Sequence, residues 1–195
     1  MRSTRVHVIT EVGLAIALCA ALQYLGIRLP INIAGGSISL AMLPIMIVAL
    51  RRGVFAGVVA GALFGLIDVA LEPYVVHPAQ FVLDYPVAFG AVGLTGLGSR
   101  SVVRLFSEGL GGRAAVAAVV WSLVGSAGRF AAAFVSGIVF FAANAPAGQP
   151  VWLYSAVYNL SYLLPSALAC AVAVFVLVPV LQRAVPVAPG SRDRD

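Results

Sequence analysis

The chain has 195 residues, 62% of them apolar and only 10% charged, against ~45–50% and ~25% in soluble globular domains. That leaves too little charge to keep a soluble surface wet, and Cys19 and Cys170 both sit inside apolar runs. Disorder, coiled coil and a disulfide scaffold are therefore excluded. All twelve basic residues behind the net charge of +5 are arginine. Without lysine there is no Walker-type phosphate loop, and the charge is no nucleic-acid signature. The class that remains is an all-α integral membrane protein.

Six apolar stretches follow one another at roughly 10–27, 38–50, 53–71, 80–98, 114–142 and 152–182. About 20 helical residues cross a hydrocarbon core of ~30 Å. The first, third and fourth stretches match that length, and the last two are long enough to tilt or protrude. The second is short and carries Pro44 near its start, so it reads as a bent or partial span. The first run is too long for a cleaved signal peptide. Arginines orient the bundle: Arg2, Arg5, Arg51, Arg52, Arg100, Arg104, Arg113, Arg183, Arg192 and Arg194 fall on one side if there are six spans, and Arg28 alone on the other. The positive-inside rule then predicts a six-helix bundle with both termini cytoplasmic. Residues 1–185 form one membrane domain, and 186–195 a disordered tail.

Two connections have a character of their own. Residues 28–39, RLPINIAGGSIS, form a polar, glycine-rich outer loop suited to act as a lid. In 99–112, Arg100, Arg104 and Glu108 recur at i, i+4 opposite Val102, Val103, Leu105 and Phe106. A short amphipathic helix on the cytoplasmic interface and a solvated connector fit that pattern equally well. Gly13, Ala17 and Ala21 make a small-residue ridge on the first span, for close helix approach within the chain or between chains.

Ionisable groups inside a bilayer mark function or pairing. Asp68 and Arg129 lie within spans three and five, where a structural ion pair or bonds to backbone carbonyls is the expectation. His7 and Glu11 read as interfacial. Asp84 opens span four from outside, in Phe81-Val82-Leu83-Asp84-Tyr85-Pro86, after Tyr74 and His77. Span five runs outward, so Gly137 and Phe141 share a face near its outer end. Span six re-enters with Tyr154, and Asn159 follows a turn and a half deeper. A carboxylate, an amide, phenols and an aromatic ring thus meet at one level. That set suits a small cationic or amino-bearing heteroaromatic ligand, with Asn159 supplying a bidentate amide. An interfacial aromatic belt fits the same spacing.

These residues carry a resemblance. The stretches Gly35-Gly36-Ser37-Ile38-Ser39-Leu40 to Met42-Leu43-Pro44-Ile45, Leu83 to Phe89, Arg129-Phe130 to Ser136-Gly137, and Tyr154 with Tyr158-Asn159 resemble the thiamine-binding substrate components of energy-coupling-factor vitamin transporters. The resemblance runs from the first span to the sixth and implies a six-helix bundle with both termini inside. It also implies substrate contacts at Tyr74, Asp84, Tyr85, Gly137, Phe141, Tyr154 and Asn159, with the Gly13, Ala17 and Ala21 ridge facing a coupling subunit. Asp84 stands where the family usually has Glu, Phe141 where it has Trp, and Ala133 where it has His. Thiamine, or a related pyrimidine or thiazole, is the implied ligand, and His77 is a candidate to replace the imidazole.

The resemblance further implies partners: a transmembrane coupling subunit and two ATPases that hydrolyse ATP. No catalytic residue, cofactor or metal site is predicted. A rhomboid-type protease needs a GxSG serine and a membrane histidine, and a metal-dependent lipid transferase needs clustered membrane aspartates; neither pattern occurs. A stand-alone facilitator is the remaining alternative.

Overall fold

The computed structural model describes residues 2–25, 27–28 and 37–184. The expected lid (residues 28–39) lies largely outside the described residues, and the expected tail (186–195) entirely so. Six helices follow in chain order: α1 Arg2–Tyr24, α2 Met42–Arg52, α3 Val54–Leu71, α4 Pro78–Ser107, α5 Gly111–Phe140 and α6 Val151–Ala184. Between α1 and α2, β1 (Ile27–Arg28) pairs antiparallel with β2 (Ser37–Ile38), Ile27 opposite Ile38. The structure therefore has the six-helix architecture, but among the described residues five helices, not six, are long and apolar enough to cross a membrane.

The exception is α2. Its 11 residues rise only ~16 Å, about half a hydrocarbon core, and β2 takes the first residues of the apolar stretch at 38–50. Nine of the 11 residues are buried, so α2 is a plug inside the bundle. Non-helical backbone on its outer side is tolerated because protein surrounds it: Ser39 N–H donates to Ser166 Oγ (3.1 Å), Ala41 N–H to Ser39 Oγ (2.9 Å), and the Ser39 hydroxyl to Gln23 Oε1 (2.8 Å). The amphipathic segment at 99–107 is likewise no separate surface helix. It ends α4 and buries Ser99, Val102 and Val103 against the core that Ala114 and Ala118 of α5 complete.

Charges mark one end of the bundle. Glu11 accepts from Arg51 Nη2 (3.2 Å) and from Arg52 Nε (2.9 Å) and Nη2 (2.6 Å). This clamp fixes the first turns of α1 beside the α2–α3 junction, and Ser99 Oγ donates to the Leu50 carbonyl at the same level. At the junction Gly53 sits at φ 92°, a left-handed conformation that favours glycine, which turns α2 into α3.

Close packing of α3 on α4 places the opposite end. Gly57, Gly61 and Gly65 repeat every fourth residue and meet the α4 backbone directly. A Cβ on Gly61 would strike the Phe89 carbonyl, and one on Gly65 the Tyr85 carbonyl. Phe64, between them, packs edge-on to Phe89 at 4.7 Å. This seam holds Tyr85, Ala88 and Phe89 at a fixed depth.

Candidate ligand-binding site

A cavity of about 470 Å³ lies at the end of the bundle opposite the clamp, among α3, α4, α5, α6 and the α3–α4 loop. Its volume is in the range of small-molecule sites. All seven residues singled out from sequence line it: Tyr74, Asp84, Tyr85, Gly137, Phe141, Tyr154 and Asn159. They border one void, an arrangement that a scattered interfacial belt does not require.

Local irregularity aims the acid. Helix α4 begins at Pro78, capped by His77, whose Nδ1 accepts from Ala79 N–H at 3.1 Å. Residues Leu83–Val87 then widen into a π-helical turn around Pro86. Proline has no N–H to give the helix, and such a turn shifts the side chains before it, a device common at functional sites. Asp84 accordingly lies one turn inside the helix and does not cap it. Its Oδ2 accepts from Gln80 Nε2 at 2.6 Å, and the residue lines the cavity.

Gln80 is the organiser that sequence reasoning missed. Only 1% exposed, it also donates to the Tyr74 carbonyl (3.1 Å) and accepts from Val76 N–H (3.1 Å). Tyr85 completes the frame: its hydroxyl donates to the Glu72 carbonyl (2.9 Å) and accepts from Tyr74 N–H (3.1 Å). Tyr74, its backbone so held, stacks on Phe141 at 5.9 Å and 24°, and both residues line the cavity. His77 stacks on Phe140 at 5.3 Å and does not line the cavity, so it does not replace an imidazole there.

The far wall belongs to α5 and α6. Tyr154, Tyr158 and Tyr162 recur every fourth residue and line the cavity together, each ring 5.9 Å from the next. Asn159 is more committed than expected. Its Nδ2 donates to the Ser155 carbonyl (2.9 Å) and the Ala133 carbonyl (3.3 Å), and its Oδ1 accepts from Tyr162 Oη (2.8 Å). The bidentate amide foreseen for the ligand is thus used to join α5 to α6, leaving one Oδ1 lone pair. Gly137 is small for a related reason: a Cβ there would collide with Ser155 Oγ.

Asp68 and Arg129 also line the cavity, against the expectation of a structural pair. Arg129 lies with its guanidinium carbon 3.8 Å from the Phe89 ring centroid. Among the described residues it has no hydrogen bond to a backbone carbonyl and no ion pair. Asp68 Oδ1 is buried without a hydrogen-bond partner.

Fold and site together define a polytopic membrane protein with a small-molecule cavity inside its helix bundle. Comparison with known proteins narrows the class. The family described as Thiamine transporter protein (Thia_YuaJ) matches residues 9–185. The chain is 42% identical over 144 residues to Thiamine transporter ThiT of Bacillus subtilis, covering 73% of this chain and 75% of that one. To the ThiT of Lacticaseibacillus paracasei it is 32% identical over 177 residues, covering 89% and 87%. A solved structure of ThiT from Listeria monocytogenes superposes with a TM-score of 0.73 at 25% identity, over 94% of this chain and 97% of that one. The chain belongs to this thiamine transporter family and is a multi-pass protein of the cell membrane.

Proposed function

We propose that this protein is the substrate-capturing component of an energy-coupling-factor importer. It takes thiamine from the outer side into the cavity described above. A separate transmembrane coupling subunit and two ATPases then drive uptake. The observation that carries the reading is the convergence of Tyr74, Asp84, Tyr85, Gly137, Phe141, Tyr154 and Asn159 on one void.

The chemistry fits a cation that bears a heteroaromatic ring. Among the described residues Asp68 and Asp84 line the cavity with Arg129, so an added positive charge leaves the acidic groups better balanced. Gln80 holds the Asp84 carboxylate in place, and in a site shielded from water a carboxylate attracts a cation far more strongly than in solution. Tyr74, Phe141 and the tyrosine row on α6 present ring faces for stacking and for cation–π contact. With both termini in the cytoplasm the arginine-bearing end lies inside and the cavity outside, where a nutrient arrives. Hydrolysis of ATP falls to partner subunits, because the chain has no lysine for a phosphate loop.

Calorimetric titration of the detergent-solubilised chain with thiamine tests the first step. Saturable one-to-one binding is the expected result. Absence of binding, or preference for the isolated pyrimidine or thiazole half, would overturn thiamine as the ligand. Uptake by the reconstituted chain without any ATPase would overturn the coupling and leave a facilitator.

A further inference from the structure

We infer that Asp68 and Arg129 form a second polar subsite of the cavity, built to receive an uncharged hydroxyl group of the ligand. The inference deepens the reading of this site as a thiamine site, since thiamine carries one primary alcohol on its thiazolium side chain.

Two ionised groups within a membrane bundle are expensive unless each has a partner. Asp68 is 6% exposed, and its Oδ1 has none. Arg129 lies eleven residues before the end of α5 at Phe140, ~16 Å along the helix. One face of its guanidinium is set on the Phe89 ring at 3.8 Å, and its N–H donors find no acceptor among the described residues. Both side chains face the same void, and each is within electrostatic reach of the other. Two opposite charges that merely stabilised the bundle would close on one another. Here Phe89, placed by the glycine seam and by Phe64, holds the guanidinium over its ring, and Asp68 and Arg129 border the cavity as separate groups.

An alcohol satisfies both sides of such a gap, because its O–H donates to a carboxylate while its lone pairs accept from a guanidinium. The alternatives fit less well. An ammonium group suits Asp68 but is repelled by Arg129. A phosphate suits Arg129 but meets Asp68, Asp84 and Glu72, all of which line the cavity. The two aromatic stacks and Asp84 then take the rings, and this pair takes the side chain.

The experiment compares two ligands across three proteins: thiamine and its analogue with ethyl in place of hydroxyethyl, titrated into wild type, Asp68→Asn and Arg129→Gln. Hydrogen bonds to charged groups lead us to expect a loss of about tenfold or more in wild-type affinity when the hydroxyl is removed. In each variant the same removal should cost less than about threefold. A ratio taken within one variant does not depend on how much of it folds. If one variant fails to accumulate, the wild-type ratio and the other variant decide. Equal wild-type affinity for both ligands means that water alone fills the gap and overturns the inference. So does a variant that discriminates as strongly as wild type. Failure of wild type to bind thiamine at all overturns the parent reading instead.

Discussion

Asp84 is held by Gln80 and lines the cavity, so replacing it with asparagine tests charge while nearly preserving shape. Breaking a buried ion pair costs about 3–5 kcal/mol. Allowing for partial solvation near the outer membrane edge, Asp84→Asn should weaken thiamine binding by about tenfold or more in the same titration, and equal affinities would exclude it as a ligand residue. Of the seven predicted residues that line the cavity, those on spans four to six are reached by counting depth along spans of alternating direction, and Tyr74, in the loop before span four, is named as a substrate contact through the resemblance. Depth does not say which way a side chain bonds. The π-helical turn at Pro86 and the capture of Asn159 by Ser155, Ala133 and Tyr162 depend on neighbours from other elements, and so stayed hidden. Gln80 was findable: it stands four residues before Asp84, one helical turn away on the same face. The tyrosine row at 154, 158 and 162 shows the same period.

At the scale of elements, two small-residue seams behave oppositely. The seam of α3, glycine at 57, 61 and 65, faces inward onto α4; that of α1, Gly13, Ala17 and Ala21, is exposed along its whole length, and nothing lies within 4 Å of a Cβ built on Gly13. The buried face of α1 is instead Ala15, Cys19 and Gln23. An outward ridge of small residues admits another helix closely, the place we assign to the coupling subunit. Ala17→Trp and Ala21→Trp should therefore leave thiamine affinity within about twofold, since neither side chain reaches the cavity, while uptake by the assembled transporter is lost. Retained uptake in both variants would remove the ridge from the interface. Sequence pattern alone could not rank the two seams, because a small-xxx-small repeat has the same period whether it meets a neighbour in the chain or a partner outside it.

Across the described residues, the arginine clamp and the cavity lie at opposite ends of the bundle. Arg51, Arg52 and Glu11 clamp one end, Arg100 and Arg104 follow on the last turns of α4, and the cavity occupies the other. Arginine counting groups Arg51, Arg52, Arg100 and Arg104 on one side. The structure has Arg51 and Arg52 in the clamp, with Ser99, at the start of the turns that carry Arg100 and Arg104, bonded to Leu50 at the same level. Single cysteines at Ser3 and Ser191 in the cysteine-free chain, probed in intact cells with a membrane-impermeant thiol reagent, should both stay unlabelled until the membrane is opened. Labelling of either in sealed cells would reverse the orientation and turn the cavity toward the cytoplasm.

The burial of α2 bears on how the chain is made. A segment inserts on its own when its side chains prefer lipid to water and it is long enough to reach across. Helix α2 is too short, and nine of its 11 residues are in contact with protein, so no partition energy into the bilayer is available to hold it there alone. Its place exists only once α1, α3 and α6 stand around it. Biogenesis therefore has an obligatory order, with the long helices threaded first and the plug docked last. Helix α6 supplies Tyr154, Tyr158, Asn159 and Tyr162 of the cavity wall, so the cavity exists only once α6 has joined the bundle.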